Sequence, residues 1–126
     1  MTRKHGKPVP QDDDGTASGL EASVLWHIRN LTTLPLPETQ YRLPGKRQYR
    51  YDFAWKNKKL LLEVQGGIYT KGAHARAGGI IRDNRKANYA AAQGWRVMYF
   101  NSAFPDNPHG DLAMLVAAWE WTPDTE

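Results

Sequence analysis

The stretch "YRYDFAWKNKKLLLEVQGG" (residues 49–67) decides the fold of this chain. It predicts a β-hairpin, because two apolar runs flank a short polar turn and Tyr51, Phe53 and Trp55 alternate onto one face. Asp52 and Glu63 stand in the middle of these runs. Asp and Glu are rarely fully buried without a partner, and Asp is depleted in strands. The positions of the two acids therefore call for a chemical explanation.

The register of the hairpin places these acids together. A two-residue loop at Asn57 and Lys58 makes the numbers of paired residues sum to 115. Asp52 then lies directly opposite Glu63, with Cβ atoms roughly 4.5–5.5 Å apart. The sequence thus predicts two adjacent carboxylates on a rigid strand pair.

Two carboxylates at this spacing predict a cation site. Like charges directly opposite each other destabilise a hairpin, and a shared site keeps one carboxyl protonated. A divalent cation removes both problems, and carboxylate oxygens suit Mg²⁺ or Mn²⁺. The alternative is that Asp52 and Glu63 are solvated and bridged by Arg50 or Lys59.

The composition bounds the class of protein. The 126-residue chain has the usual size of one domain and contains no cysteine, which excludes disulfides and thiolate metal sites. Residues 1–17 are rich in Pro, Gly and charge, so we predict a flexible tail followed by one domain over residues 18–126. No apolar run approaches the about 20 residues of a membrane span, and the N-terminus lacks a signal-peptide pattern. We expect a cytoplasmic protein without a membrane partner.

The charge is unevenly distributed along the chain. Residues 46–86 contain eleven Lys or Arg and three acids, which gives +8, whereas residues 101–126 contain five acids and no Lys or Arg, which gives −5. A basic block of this kind favours a polyanion such as nucleic acid. The alternative is a solvated basic face.

A first helix and two loops are predicted around the hairpin. Apolar residues recur at helical spacing over residues 20–31, with Ser18 as the N-cap. The prolines of residues 32–46 predict a loop, and the glycines of residues 66–79 predict a second, flexible one.

The second half of the chain predicts a helix over residues 80–93 that ends at Gly94, a strand over residues 95–100 and a last helix over residues 109–121. A helix between two strands implies a crossover with the flanking strands parallel. The predicted fold is α/β, with a mixed β-sheet flanked by helices in the order α-β-β-α-β-α.

An acid on a first helix, Asp in one strand, Glu-x-Lys in the next and a basic helix after them form the pattern of the PD-(D/E)XK nuclease superfamily. The chain resembles this family through Glu21, Asp52 and the run Glu63-Val64-Gln65. The likeness spans roughly residues 18–100 and is nearest to small phage-type, very-short-patch-repair-like or resolvase-like members. It implies a restriction-endonuclease-like core.

The resemblance also implies a metal site. Asp52 and Glu63 would bind Mg²⁺ or Mn²⁺ together with the Val64 carbonyl, and Glu21 would join directly or through water. Glu21 has a second interpretation, because "SGLE" is also a capping box in which Glu21 bonds back to the Ser18 backbone.

The sequence departs from the family where Gln65 replaces the usual lysine. A glutamine orients water through a hydrogen bond but supplies no positive charge. Lys86 is the candidate replacement, at the edge of a helix whose buried stripe is predicted to be Ile80, Ala87 and Ala91. Its alternative role is that of a surface lysine whose stem packs on apolar neighbours.

The resemblance implies a Mg²⁺-dependent endodeoxyribonuclease that hydrolyses phosphodiester bonds in phage-type DNA recombination, repair or replication, with branched DNA as one candidate substrate. The cell would be bacterial or phage-infected, and a homodimer fits resolvase-like members. Five residues are predicted to contact the DNA backbone: Lys71, His74, Arg76, Arg82 and Arg85.

Two other functions remain open from the sequence. The first is a nucleic-acid-binding module on the same fold that has lost cleavage, which Gln65 favours. The second is an RNA endonuclease that works without metal, with His74 as the base.

Overall fold

The structure, a computed structural model, describes residues 17–66 and 73–123, with the backbone alone for residues 17, 18 and 73–76. The described residues have no helix long and apolar enough to cross a membrane. The described residues form three α-helices and four strands, in this order: α1 (Ala17–Leu31), β1 (Glu38–Arg42), β2 (Arg50–Trp55), β3 (Leu60–Gln65), α2 (Ala73–Ala92), β4 (Arg96–Asn101) and α3 (Pro108–Glu120).

The four strands form one mixed sheet in the order β1-β2-β3-β4. The first two pairings are antiparallel, and β3 and β4 are parallel across the α2 crossover, as predicted. The α/β class is therefore confirmed. The predicted element order lacks β1, which lies in the segment predicted as a loop. Its residues are mostly exposed, so no alternation of apolar side chains reveals this edge strand.

The register of the β2–β3 hairpin is confirmed, because Phe53 pairs with Leu62 and Trp55 with Leu60. The predicted two-residue turn is wrong. A 3-10 turn over Lys56–Lys58 connects the strands, followed by Lys59 in a left-handed conformation (φ 49°). The predicted two-residue turn and the observed 3-10 turn both place Trp55 opposite Leu60, so the register does not depend on the turn type.

Each face of the sheet has its own apolar cluster. Helices α1 and α3 cover one face with a large cluster that contains Phe53, Trp55 and Leu62. Helix α2 covers the other face, where Leu61 and Ala90 are fully buried. Glu63 and Gln65 follow Leu61 at alternate positions of β3, so both side chains lie on the α2 face.

Tyr51 departs from the predicted alternation. It packs against α2 with Leu61 and Ala90 rather than sharing the face of Phe53, and its hydroxyl donates to the Lys86 carbonyl (2.8 Å). The reversal occurs at Asp52, whose backbone N–H donates to the Glu63 side chain. The β2 strand is therefore irregular at the residue that carries the first carboxylate.

Helix α2 begins at Ala73, seven residues before the predicted start. The prediction of a loop through residues 66–79 is wrong from residue 73 onward, because alanines at alternate positions favour a helix and offset the cost of Gly78 and Gly79. His74 and Arg76 consequently lie on the helix and not in a loop. The stop at Gly94 is confirmed.

The predicted buried stripe of α2 is wrong. Ile80 is 57 % exposed and Ala91 is exposed, whereas Ala90 is fully buried. Asp83, Lys86 and Ala87 are half-buried on the same side as Ala90. The helix thus turns Asp83 and Lys86 toward the sheet.

Candidate active site

The side chains of Asp52 and Glu63 each accept a hydrogen bond from the backbone of the opposite strand. Glu63 Oε1 accepts from the Asp52 backbone N–H (2.9 Å), and Asp52 Oδ2 accepts from the Val64 backbone N–H (2.7 Å). At this point two side-chain hydrogen bonds replace the backbone hydrogen bonds that would otherwise join β2 and β3. The carboxylates predicted from the register do lie together, on rigid strands at one end of the sheet.

The environment disfavours ionisation of both acids. Burial raises the pKa of Asp52, the hydrogen bond from Val64 N–H opposes this rise, and the nearby Glu21 carboxylate adds to it. Burial also raises the pKa of Glu63, with Lys86 opposing the rise and Asp52 adding to it. Ionisation of the two acids in the folded protein therefore costs free energy.

Lys86, the predicted replacement for the lysine that Gln65 lacks, reaches Glu63 from α2. Its Nζ forms a salt bridge with Glu63 Oε2, and the two side chains are only 15 % and 9 % exposed. The same Nζ lies 4.8 Å from the centre of the Tyr51 ring. Lys86 is therefore a largely buried cation in contact with one carboxylate and one aromatic face.

Gln65 contacts α2 rather than the carboxylates. Its Nε2 donates to Asp83 Oδ2 (2.7 Å). The Asp83 carboxylate therefore fixes the Gln65 amide in one orientation.

Tyr99 is a site residue that sequence reasoning missed. It pairs with Glu63 in the β3–β4 register, its side chain is 38 % exposed, and its hydroxyl donates to the Asp83 carbonyl (3.5 Å). Burial raises its pKa, and the charges of Asp83 and Glu63 add to the rise. The predicted parallel crossover was the available signal, because it places the ends of β3 and β4 side by side.

Glu21 lies on α1, half-buried, and its Oε1 accepts from Gln40 Nε2 (3.1 Å). Because α1 begins at Ala17, Ser18 lies within the helix, and the prediction that it is the N-cap is wrong. The Glu21 side chain turns to Gln40 and acts on Asp52 electrostatically. Gln40 has a positive φ of 54° in β1, and it was missed because β1 itself was missed.

The donor chemistry of the site fits a divalent cation. Four carboxyl groups (Glu21, Asp52, Glu63 and Asp83) and the ammonium of Lys86 carry a charge of −3 when all are ionised. Yet the described residues include no group of three or more His, Cys, Asp or Glu side chains arranged to hold a metal ion. Glu63 directs its oxygens to Asp52 N–H and Lys86 instead. A cation held by both Asp52 and Glu63 would take the place of Lys86 at Glu63 Oε2.

The residues predicted to contact DNA are only partly described. Arg82 and Arg85 are exposed on α2. His74 and Arg76 are known by their helical backbone alone, and Lys71 lies outside the described residues. The structure thus brings Glu21, Asp52, Glu63 and Lys86 together, with two of the predicted arginines on the helix above them.

No protein-family model, curated protein or solved structure matches the chain. The fold and this acid-rich site at the end of a mixed sheet therefore carry the functional argument.

Proposed function

We propose that this chain is a metal-dependent DNA endonuclease of the PD-(D/E)XK type, with a restriction-endonuclease-like core. One observation carries the proposal: Asp52 and Glu63 lie on adjacent strands within contact of each other's backbone, and a lysine from the following helix contacts Glu63. Burial raises the pKa of both acids, and a solvated pair would not show this.

Asp52 and Glu63 would hold Mg²⁺ or Mn²⁺, with the Val64 carbonyl and Glu21 completing the ligand set. The ion, when bound, lowers the pKa of a coordinated water and stabilises the charge that develops on a phosphate. The negative charge of the site supports this assignment, because it is larger than Lys86 alone can neutralise.

Together, Lys86 and Gln65 would take the role of the lysine that PD-(D/E)XK nucleases usually carry at the position of Gln65. Lys86 supplies the positive charge beside Glu63, and the metal ion would free its ammonium for a phosphate oxygen. The Gln65 amide is held by Asp83 and orients a water by hydrogen bonding. A glutamine at position 65 is therefore compatible with cleavage when Lys86 stands on α2.

DNA is the proposed partner because exposed basic residues lie next to the acids. Arg82 lies one turn before Lys86 on α2, and Arg85 immediately precedes it. Lys71, His74 and Arg76 precede them in the chain and complete the proposed set of phosphate contacts. Contacts of this kind position the backbone without reading its sequence.

The test is cleavage of three labelled DNAs, a linear duplex, a single strand and a four-way junction, with Mg²⁺ or Mn²⁺. Asp52→Asn and Glu63→Gln are the matched variants, because each keeps the shape of the side chain and removes its charge. We expect cleavage that EDTA abolishes and that both variants lose. Cleavage that persists in EDTA and in both variants would overturn the proposal.

A second candidate is a DNA-binding module on the same fold without cleavage. It is favoured by the arrangement of the described residues, in which Lys86 neutralises Glu63 and Asp83 holds Gln65. Tight DNA binding with no cleavage under any divalent metal would select this function.

A further inference from the structure

The loop between β1 and β2 carries a second set of basic residues outside the site described above. Arg42 ends β1, Arg50 begins β2, and Lys46 and Arg47 lie between them. All four are exposed, and none forms a salt bridge with an acid among the described residues. Arg42 lies directly opposite Arg50 in the strand register. Like charges at this position destabilise a strand pair. The Arg42 guanidinium donates to the Gln48 carbonyl within the loop (2.6 Å), and Arg50 has no acid partner among the described residues.

The loop is fixed in place against α2. The Tyr89 hydroxyl and Gln93 Nε2 both donate to the Pro44 carbonyl (3.3 Å each), and Leu43 is buried. Gly45 has a φ of +124°, and a Cβ at this position would collide with the Tyr89 hydroxyl. The basic side chains are therefore presented by a rigid loop, which lowers the entropic cost of binding.

The same contacts show which side of α2 the loop faces. Arg82, Arg85 and Tyr89 are spaced by three and four residues, so they share one side of the helix. Because Tyr89 contacts the loop, this side faces the loop. The basic residues of α2 and those of the β1–β2 loop thus belong to one continuous surface. Tyr51 precedes Asp52 in β2 and lies beneath this surface, where its hydroxyl donates to the Lys86 carbonyl.

We propose that Arg42, Lys46, Arg47 and Arg50 form a second phosphate-binding element, which holds the nucleic-acid backbone opposite Arg82 and Arg85 and directs it over Asp52 and Glu63. This inference rests on the proposed function for the identity of the polyanion as DNA. The loop supplies position and affinity, and the acids supply the chemistry. Contacts of this kind make binding dependent on salt, because each neutralised phosphate releases counterions.

The hairpin at the other end of the sheet provides a matched control. Lys56 and Lys59 are exposed there, and Lys56 already pairs with Glu38 (3.0 Å). Lys46→Gln/Arg47→Gln and Lys56→Gln/Lys59→Gln remove the same charge from the β1–β2 loop and from the β2–β3 hairpin. All four positions are surface positions, so both variants are expected to fold, which circular dichroism and urea unfolding verify.

The experiment measures the dissociation constant of a duplex DNA at several salt concentrations, with EDTA present so that binding is separated from cleavage. We expect Lys46→Gln/Arg47→Gln to weaken binding on the order of ten-fold or more at moderate salt and to reduce the salt slope by about 2, whereas the control variant binds nearly as the wild type does. Equal effects of the two variants would overturn the inference and leave the proposed function standing. Absence of DNA binding by the wild type, both in EDTA and with Mg²⁺, would overturn both. Loop-dependent binding without metal-dependent cleavage would support the loop and reject the nuclease.

Discussion

Asp52 and Glu63 replace a rung of backbone hydrogen bonding with two side-chain contacts, one in each direction between β2 and β3. Each carboxylate is held by an N–H of the opposite strand, so its position is fixed by the sheet. The strand pair thereby keeps two acids close together despite their repulsion. This relationship makes the site rigid before any ligand binds.

Asp52→Asn separates the charge of this site from its structure. The Asn carbonyl oxygen can still accept from Val64 N–H, whereas the buried charge is removed. Because burial raises the pKa of Asp52, we expect the free energy of unfolding at neutral pH to stay equal or to rise by about 1 kcal/mol. Urea unfolding measures this change. A loss of about 2 kcal/mol or more would show that the carboxylate charge stabilises the fold.

Lys86→Met removes the cation while keeping a side chain of similar length. Glu63 is left buried without its salt-bridge partner, so we expect a loss of about 3 kcal/mol at neutral pH. The double variant Lys86→Met/Glu63→Gln is the control and is expected to recover most of this loss, because no unpaired charge stays buried. If the double variant is as unstable as Lys86→Met alone, the packing of Lys86 against Tyr51 matters more than the ion pair does.

The pH dependence of stability follows from the raised pKa values of Asp52 and Glu63. A carboxyl whose pKa is raised in the folded state contributes stability below its unfolded value of about 4, and the contribution is lost as the pH rises through the folded value. We therefore expect the unfolding free energy of the wild type to fall above pH 4, relative to Asp52→Asn/Glu63→Gln. Urea titrations across this range test the sign. A wild type that gains stability relative to the double variant would contradict it.

Divalent metal is expected to reverse this loss at neutral pH. A cation between Asp52 and Glu63 binds the ionised form of both acids, so it stabilises the folded state by mass action. Thermal unfolding with and without millimolar Mg²⁺ or Mn²⁺ measures the shift in melting temperature. The effect should vanish in Asp52→Asn/Glu63→Gln, and a shift of equal size in that variant would place the metal elsewhere.

Under the proposed function, Gln65→Lys tests whether Lys86 takes the role of the lysine that PD-(D/E)XK nucleases usually carry at the position of Gln65. The new lysine reaches Asp83, which already accepts from Gln65, so we expect the fold to be retained. On the proposed function, Gln65→Lys keeps cleavage and Lys86→Met loses it by a factor of at least about 100. Restoration of cleavage in Gln65→Lys/Lys86→Met would show that the two positions are interchangeable. Full cleavage by Lys86→Met alone would exclude the assigned role of Lys86.

The sequence by itself determined the hairpin, its register and the proximity of Asp52 and Glu63. These features follow from two apolar runs joined by a short polar turn within residues 49–65, which is local information. The parallel crossover and the stop of α2 at Gly94 were also readable, since Gly94 has the positive φ of 85° that a helix C-terminus favours. There the Gly94 N–H bonds to the Ala91 carbonyl and the Trp95 N–H to the Ala90 carbonyl.

Only the tertiary structure decided what surrounds the two acids. The β1 strand is paired by β2 without an apolar pattern of its own, so Gln40 and its contact with Glu21 were invisible. The reversal of Tyr51 follows from side-chain bonds across two strands, and no periodicity encodes such bonds. The buried side of α2 was predicted wrongly for the same reason. Contacts with the sheet bury Ala90 and Lys86, whereas hydrophobicity alone predicts that Ile80 is buried. Local pattern fixes where each strand runs, and long-range contacts fix which partners each charge meets.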